Sequence, residues 1–364
     1  MTVFRLGELF CGPGGLALGA IKARGRGKAA NHRIHPVWAN DFDKDSCDTY
    51  HRNISTNSKH LIINKDVREL DIESLPEIDA FAYGFPCNDF SIVGEQKGFN
   101  GKFGPLYTYG VKILNHFRPK FFLAENVGGI RSANEGQAFL RIIEDLQQAG
   151  NGYNLTAHLY RFEQYGVPQN RHRLIIVGID SSLELKFSVP APTTKNQPVS
   201  VREALTTPAI PKKAVHQELT TQSFAVVERL KYIKPGENAW NADIPARLQL
   251  KVKGAKLSQI YRRLDPKKPA YTLTGSGGGG THGYHWKENR ALTNRERARI
   301  QTFPDDFVFS GSKESIRKQI GMAVSPKMSE IIFSSILNTL AGVSYPSIEA
   351  NHQIQSALNE LSFA

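Results

Sequence analysis

Three short segments of the chain combine a thiol, a carboxyl group and a glycine-rich turn, each directly after an apolar run. Cys87 follows the run 78–83 through a Gly-Phe-Pro turn, and Glu125 follows the run 120–124. The turn 12–15 contains three glycines and comes after the first apolar run. Side chains at the ends of parallel strands meet at one edge of a sheet. A nucleophile, an acid and a cofactor cradle placed in this way are typical of an enzyme that transfers a group through a covalent intermediate.

The same segments, in this order, resemble the motifs of the DNA cytosine-5 methyltransferases. The family has a Phe-x-Gly-x-Gly-Gly loop, a Pro-Cys pair and a Glu-Asn-Val triplet, which are matched at 10–15, 86–87 and 125–127. Its Gln-x-Arg-x-Arg segment is matched at 169–173, and its Leu-Thr-x-x-Glu-x-x-Arg-Ile-Gln-x-Phe-Pro segment lies within 290–304. The resemblance runs from about residue 4 to about residue 343. The joint occurrence and order of the motifs make it specific, whereas any one motif alone is weak.

This resemblance implies methyl transfer to cytosine C5 with four catalytic side chains. Cys87 would add to C6, and Glu125 would hydrogen-bond N3 and the exocyclic amine. Arg173, and secondarily Arg171, would stabilise O2 or a flanking phosphate. An ion pair with Glu125 is the alternative for either arginine and is compatible with the same role. Asn126 is expected to position the Cys87 loop through backbone hydrogen bonds, and the target base must leave the duplex to be reached.

The resemblance also implies S-adenosyl-L-methionine as the methyl donor, with S-adenosyl-L-homocysteine as the product. The glycines allow a tight turn and a close approach of backbone to ligand at the start of a helix. Asp41 suits the ribose hydroxyls, Phe42 can stack on adenine, and Asp66 can bind the adenine amino group, although either Asp could instead cap a helix. Met322 stands where the family has Asn, so only its backbone could form a hydrogen bond to the cofactor there. The predicted cofactor contacts are Phe10, Gly12, Gly14, Gly15, Asp41, Phe42, Asp66, Val67, Pro86, Leu106, Met322 and Ala323.

Most of the positive charge lies in one stretch. The net charge of the chain is +12, and residues 201–300 contain 19 Lys and Arg against 8 Asp and Glu. An excess so local favours a surface that binds a polyanion over a merely solvated basic face. The glycine run 276–280 could pass close to DNA or serve as a linker. His282 and His285 lack the Cys or carboxylate partners of a metal site, so no metal is predicted. The predicted DNA contacts are Ser91, Arg262, Arg263, Lys267, Lys268 and Arg290.

Strand-like runs and helical spacing alternate through the first half of the chain. The alternation predicts an α/β fold with a doubly wound, mostly parallel sheet, which the resemblance identifies as the fold of S-adenosylmethionine-dependent methyltransferases. Thr293 and Glu296 are expected to form a helix-starting capping box. Strands are predicted at 3–10, 36–40, 61–64, 79–83, 121–124 and 174–178, and helices at 16–23, 44–53, 136–149, 293–302 and 327–340.

This alternation ends near residue 187, where prolines become frequent. We therefore expect a catalytic and cofactor-binding domain at 1–186 and a smaller target-recognition domain at 187–287. A hinge or return segment is expected at 288–320. The C-terminal part, 321–364, is expected to carry a helix that packs back on the first domain.

Composition narrows the class of protein. Three cysteines suggest no disulfide framework and so favour a reducing cytoplasm. No signal peptide and no apolar run of about 18 residues is evident, which argues against a membrane. The leading hypothesis is a monomeric, sequence-specific methyltransferase of duplex DNA at the bacterial nucleoid, in a restriction-modification system with a separate endonuclease. The alternatives are a tRNA cytosine-5 methyltransferase and a non-catalytic DNA-binding regulator, and the target sequence cannot be derived.

Overall fold

The computed structural model describes residues 1–54, 61–85, 106–127, 137–251, 257–275 and 279–352. Pro86, Cys87 and Ser91 lie outside the described residues, as does most of the glycine run. The chain divides into two compact units. The first unit comprises Met1–Arg161, His172–Pro192 and Val324–Ala364, and the second comprises Phe162–Arg171 and Thr193–Ala323.

A seven-stranded sheet forms the centre of the first unit. The strands of the chain are β1 Val3–Leu9, β2 Arg33–Asp41, β3 Leu61–Asn64, β4 Ala80–Gly84, β5 Phe121–Val127, β6 Tyr153–Arg161, β7 Gln169–Asn170, β8 His172–Asp180, β9 Val189–Pro190, β10 Ala270–Tyr271 and β11 Ser347–Ile348. The order in the sheet is β3-β2-β1-β4-β5-β8-β6. Neighbouring strands are parallel from β3 to β5, and β8 runs antiparallel to both β5 and β6. The predicted mostly parallel sheet is confirmed, and the carboxyl ends of β1, β2, β4 and β5 lie along one edge.

Helices follow the strands much as the apolar spacing predicted. They are α1 Gly15–Lys22, α2 Lys44–Asn53, α3 Tyr107–Phe117, α4 Gln137–Gln148, α5 Val201–Thr206, α6 Phe224–Leu230, α7 Asn294–Ile300, α8 Lys313–Met322 and α9 Pro326–Leu340. In the first unit α9 packs against α1 so closely that a Cβ on Gly19 would lie 2.4 Å from Ser329. Ser329 Oγ donates to Leu16 O at 2.7 Å, which fixes the pair at the point of closest approach.

The described part of the second unit has little sheet, and its buried apolar residues include two small cores. Its two-residue strands β7 and β10 pair in parallel. One core is centred on Leu264 and Ile300, and the other on Leu230 and Tyr284. Helix α7 begins with the predicted capping box: Thr293 Oγ1 accepts from Glu296 N at 3.1 Å, and Thr293 N donates to Glu296 Oε2 at 2.8 Å.

The stretch Lys313–Leu340 is long and apolar enough, by length and composition alone, to cross a membrane. It consists of two helices, because Ala323 ends α8 and Ser325 caps α9. In addition, 67% of its most apolar window is buried inside the protein. Such burial is the pattern of core helices in a globular protein.

Candidate active site

The glycine-rich turn after β1 combines open space with close packing. Gly12 and Gly14 have φ values of +53° and +92°, and Phe10 shares the left-handed region at +53°. A Cβ on Gly12 would meet nothing within 4 Å, whereas a Cβ on Gly15 would lie 2.2 Å from Val324 O. The turn is therefore held tightly on one side and leaves backbone accessible on the other, at the start of α1.

Asp41, at the end of β2, holds this turn in place. Its Oδ2 accepts from Gly12 N and its Oδ1 from Asp43 N, both at 2.9 Å. The side chain that caps α2 is that of Asp43, which accepts from Ser46 N at 2.8 Å. Asp41 thus ties the turn to the neighbouring strand end rather than capping a helix, and its contact with ribose stays a prediction.

Phe42 is exposed, whereas Asp66 is held in an ion pair with Arg68. Phe42 is 65% exposed, and its carbonyl accepts from Asn64 Nδ2 at 3.0 Å. Asp66 is engaged by Arg68, which donates Nε to Oδ1 at 2.9 Å and Nη2 to Oδ2 at 2.5 Å. Asp66 also accepts from Arg68 N and so caps the turn Val67–Glu69. The Arg68 guanidinium lowers the pKa of Asp66 to about 2, and an adenine amino group would have to share this carboxylate.

Glu8 is a residue of this region for which the sequence analysis made no prediction. It lies in β1 with 1% of its surface exposed, and Tyr50 Oη donates to its Oε2 at 3.2 Å. Its Oε1 has no hydrogen-bond partner among the described residues. Burial, and to a smaller extent the charge of Asp41, raises the pKa of Glu8 to about 8. A carboxyl group four residues before the glycine turn, inside an apolar strand, was the available signal.

We expect Glu8→Gln to flatten the dependence of stability on pH. The pKa of Glu8 is higher in the folded chain than its ordinary value of 4.5. Folding therefore takes up a proton between about pH 4.5 and 8, and stability falls as pH rises through that window, by at most about 1.4 kcal/mol per pH unit. The amide imitates the protonated acid at every pH. Thermal midpoints at pH 6 and pH 8 should differ less in the variant than in the parent, and equal differences would show that Glu8 is ionised in the folded protein.

Glu125 and Arg173 form an ion pair at the strand ends. Glu125 lies in β5 and Arg173 in β8, where the register of the antiparallel pair sets Arg173 opposite Val127. Arg173 Nε lies 2.9 Å from Glu125 Oε1, and the side chains are 15% and 12% exposed. A Cβ on Gly84, the partner of Glu125 in β4, would come within 3.3 Å of Glu125 Oε2. The carboxyl group is thus oriented from one side by Arg173 and has room on the other only because residue 84 is glycine.

Asn126 holds the chain that leads to the predicted nucleophile. Its Nδ2 donates to Phe85 O at 3.3 Å, and its Oδ1 accepts from Val127 N at 2.7 Å. The side chain is 4% exposed, which restricts it to this arrangement. Phe85 precedes Cys87 by two residues, so the hydrogen bond lies where the sequence predicted it, at the entrance to the loop.

Arg171, in contrast, has a structural place in the second unit. It is 1% exposed, and its Nη2 donates to the carbonyls of Gly321 and Ala323, each at 3.1 Å. Gln301 Nε2 donates to the same Ala323 carbonyl at 2.5 Å. These bonds satisfy carbonyls at the end of α8, so Arg171 shapes the backbone around Met322. Met322 itself is 66% exposed.

Comparisons with known proteins settle the family. A family model for C-5 cytosine-specific DNA methylases matches residues 4–338. The chain is 56% identical to the Type II methyltransferase M.BbvI of Brevibacillus brevis, over 98% of this chain and 97% of that protein. It is 39% identical to the Type II methyltransferase M.NgoFVII of Neisseria gonorrhoeae, over 91% of this chain and 85% of that protein.

The chain belongs to the C-5 cytosine-specific DNA methylase family. It is a DNA (cytosine-5-)-methyltransferase of the bacterial restriction-modification type, as the motifs implied, and its cofactor is S-adenosyl-L-methionine. Its substrate is duplex DNA.

Solved structures support the fold of this methyltransferase. A chain described as a DNA modification methyltransferase encoded within an Escherichia coli prophage aligns with a TM-score of 0.70 at 24% identity, over 92% of this chain and 99% of that one. The Dnmt2 methyltransferase of S. pombe aligns with a TM-score of 0.59 at 15% identity, over 92% and 98%. Identities this low speak for the shared fold alone.

The first unit of the methyltransferase fits its cofactor. The open face at Gly12 admits a ligand close to the backbone, and α1 starts there with no side-chain cap. The exposed ring of Phe42 offers a surface for a purine, and Glu8 Oε1 is a buried acceptor or donor not engaged within the described ranges. Val67 and Leu106 contribute apolar packing beneath this region.

The predicted DNA-binding side chains of the methyltransferase divide by exposure. Arg263 is 4% exposed and donates to the carbonyls of His285, Glu288 and Leu230 at 2.6 to 2.7 Å. Its guanidinium is therefore not presented to a phosphate at the surface. Arg290 is engaged by Glu296 at 2.8 Å and by Glu288 at 2.7 Å. Both arginines are therefore engaged by groups of the second unit, which follows from tertiary packing and not from residue type.

Lys267 and Lys268 remain at the surface, and Arg262 lies between surface and core. The Lys268 side chain is 75% exposed and forms a long ion pair of 3.6 Å with Asp265. Lys267 is exposed as well. The Arg262 guanidinium stacks over the Tyr271 ring at 4.5 Å. These two lysines are the predicted phosphate contacts that the structure leaves available.

Proposed function

We propose that this methyltransferase modifies C5 of one cytosine in a specific duplex sequence through a covalent bond between Cys87 and C6. The observation that carries the proposal is the Glu125–Arg173 pair at the strand ends, 2.9 Å apart and next to Gly84. Cys87 follows Gly84 by three residues, and Asn126 fixes the intervening Phe85 carbonyl. A held carboxyl group and an oriented guanidinium at one sheet edge, with a thiol three residues after Gly84 in the sequence, suit addition to a pyrimidine ring.

The proposed chemistry begins with the ring, whose C5 is a weak nucleophile because cytosine is aromatic. Addition of the Cys87 thiolate to C6 forms a C–S bond and moves an electron pair towards C5, N3 and O2. A proton shared between Glu125 and N3 neutralises the charge that develops, while Arg173 orients Glu125 and stabilises O2. When bound, S-adenosyl-L-methionine would supply the electrophilic methyl group for C5 and would leave as S-adenosyl-L-homocysteine. Removal of the C5 proton then expels the thiolate and restores the ring.

The turn 12–15 and its neighbours would hold the cofactor. We propose that Phe42 stacks on the adenine and that Asp41 orients the ribose while it braces Gly12. Asp66, shared with Arg68, would bind the adenine amino group. Pro86 and Leu106 would line the rest of the site, and backbone atoms at Met322 and Ala323 would replace the family's Asn.

The target base would be flipped out of the duplex before reaction, because C6 is unreachable inside the stack. We propose that residues 187–287 carry target recognition and that Ser91 contacts the opened DNA. Their local excess of positive charge supports this assignment. We further propose that the protein is a monomer and acts in the cytoplasm at the nucleoid. A separate restriction endonuclease would recognise the same target.

We expect the double substitution Lys267→Ala with Lys268→Ala to weaken binding to every duplex about equally. Lysines that contact phosphates release counterions, so the slope of log affinity against log salt should flatten by up to about two units. Sequence preference should survive, since phosphate contacts position and base contacts specify. The matched control is Lys22→Ala with Lys28→Ala, two exposed lysines of the first unit. An identical slope in both double variants would place the phosphate surface elsewhere.

Incubation with labelled cofactor and either duplex DNA or tRNA tests the proposed substrate. Labelled duplex DNA is expected, and bisulfite sequencing of that DNA would give the methylated sequence in the same experiment. Labelled tRNA alone would favour the alternative RNA methyltransferase. Cofactor binding without transfer to either would favour a non-catalytic regulator on this scaffold.

A further inference from the structure

Arg297 is a buried cation whose charge is not balanced within the described ranges. It lies in α7 with 3% of its surface exposed, and its Nη2 has no hydrogen-bond partner among the described residues. Its neighbour Glu296 is bound by Arg290 through both carboxylate oxygens. Burial lowers the pKa of Arg297 to about 10, so the guanidinium is still protonated at neutral pH. A buried charge without a partner is costly, and such costs are tolerated where a ligand supplies the partner.

Arg317 brings a second positive charge to the same place. The side chain of Arg317 is 14% exposed, and its Nη1 lies 2.6 Å from His282 Nδ1. Its carboxylate contact is Glu314, which is 83% exposed and 3.2 Å away. Burial, then the charges of Arg317 and Arg297, lowers the pKa of His282 to about 4, so the ring is neutral at physiological pH. Within the described ranges, the carboxylates beside the two guanidinium groups are the exposed Glu314 and Glu296, which Arg290 already binds.

These side chains flank the glycine-rich stretch that runs from Gly275 to Gly283. Helix α8, which carries Arg317, touches this stretch through backbone: a Cβ on Gly321 would lie 2.0 Å from Gly275 N. His282 lies near the other end, next to Gly283, whose φ is +73°. Glycine at 275 allows this close approach of backbone to α8, and planar guanidinium groups match the oxygens of a phosphodiester.

We propose that Arg317 and Arg297, with His282 orienting Arg317, form a subsite for one backbone phosphodiester of the duplex DNA. Arg317 makes the contact from the partly exposed position, and Arg297 stabilises the same anion from behind. The inference rests on the proposed function, because it identifies the DNA as the source of the phosphate. It adds two positions to the DNA contacts that the sequence predicted.

Helix α7 contains a matched control two residues away. Arg295 is buried like Arg297, but it donates to three carbonyls: Val215 O at 3.1 Å, Pro304 O at 2.8 Å and Phe307 O at 2.6 Å. Arg295→Met should lower the thermal midpoint, since it leaves these carbonyls without donors. Arg297→Met should leave the midpoint unchanged or raise it, because it removes an unbalanced charge. A merely structural Arg297 would behave like Arg295.

Duplex binding as a function of salt is the test of the subsite itself. Arg297→Met and Arg317→Met are each expected to weaken binding of cognate and random duplex about tenfold and to reduce the salt slope by about one unit, whereas Arg297→Lys retains most of both. Slopes equal to that of the parent in both Met variants would overturn the proposal. The proposal would also be overturned if inorganic phosphate stabilised the parent but not the Met variants, while those variants kept the parent's affinity for duplex.

Methylation by the parent protein separates this inference from the proposed function. A parent that methylates duplex DNA while both Met variants keep its salt slope leaves the function standing and removes the subsite. A parent that binds duplex through Arg297 and Arg317 but transfers no methyl group removes the function and leaves the subsite.

Discussion

Replacing Cys87 with alanine is expected to lower methyl transfer to duplex DNA by on the order of 10⁴-fold or more, while cofactor affinity changes little. In the proposed mechanism the thiolate performs the addition to C6 that makes C5 reactive, and water does not replace a nucleophile of this kind. The cofactor, in the same proposal, is held by the turn 12–15 and by residues at the ends of β1 and β2. Single-turnover rates with labelled cofactor, together with cofactor dissociation constants, measure the two effects separately.

An unchanged thermal midpoint in the Cys87→Ala variant serves as the control for folding. Binding of the flipped base requires space in the site and not the thiol itself. The variant is therefore also expected to keep its affinity for the target duplex. Turnover within tenfold of the parent would mean that another group is the nucleophile.

Glu125→Gln is expected to reduce the methyl-transfer rate by about 10²- to 10⁴-fold, the range of general acid catalysis. The amide keeps the size of the side chain but cannot share a proton with N3, and it loses the ion pair with Arg173, 2.9 Å away in the parent. Duplex affinity at a non-target sequence should be unaffected. The measurement is a single-turnover rate at saturating cofactor.

The chain offers a matched control for that substitution. Glu144 is a partly exposed glutamate of α4, 41% exposed and 3.9 Å from Arg141. Glu144→Gln should leave the methyl-transfer rate unchanged. A Glu125→Gln variant as active as Glu144→Gln would remove Glu125 from the mechanism.

The sequence predicted the strands and helices whose apolar spacing decides their burial. Strand β3 and helix α2 lie at the predicted positions, 61–64 and 44–53. Strand β6 was not predicted, because its buried polar residues are satisfied by partners distant in the chain. Thr156 Oγ1 donates to Phe187 O at 2.8 Å, and His158 Nδ1 accepts from Asn351 N at 3.2 Å.

Helix α3 was missed for a related reason. Gly110 lies in its middle and lowers helix propensity. The glycine is required there because a Cβ would lie 2.5 Å from the Tyr83 ring. Packing between a helix and a strand thus overrides the local preference, and a sequence read in short windows does not contain that information.

The sequence predicted which motifs form the candidate site, but not the directions in which their side chains point. Glu125 and Arg173 form the ion pair that the sequence analysis gave as the alternative for this arginine. The neighbouring Arg171 and the basic Arg263 point into the second unit and bind carbonyls, which depends on burial and not on residue type. Glu8 shows the opposite case, since an acid inside an apolar strand is visible in the sequence, whereas its raised pKa follows from the packing around it.

Covalent trapping tests the central claim of this account most directly. A duplex with 5-fluorocytosine at the methylated position, found first by bisulfite sequencing, is incubated with the protein and S-adenosyl-L-methionine. Fluorine at C5 cannot leave as a proton does, so the C–S bond to C6 should persist. We predict a complex that survives denaturation and that mass spectrometry assigns to Cys87. A protein that methylates normal duplex but yields no such complex, or one linked through another residue, would contradict the proposed mechanism.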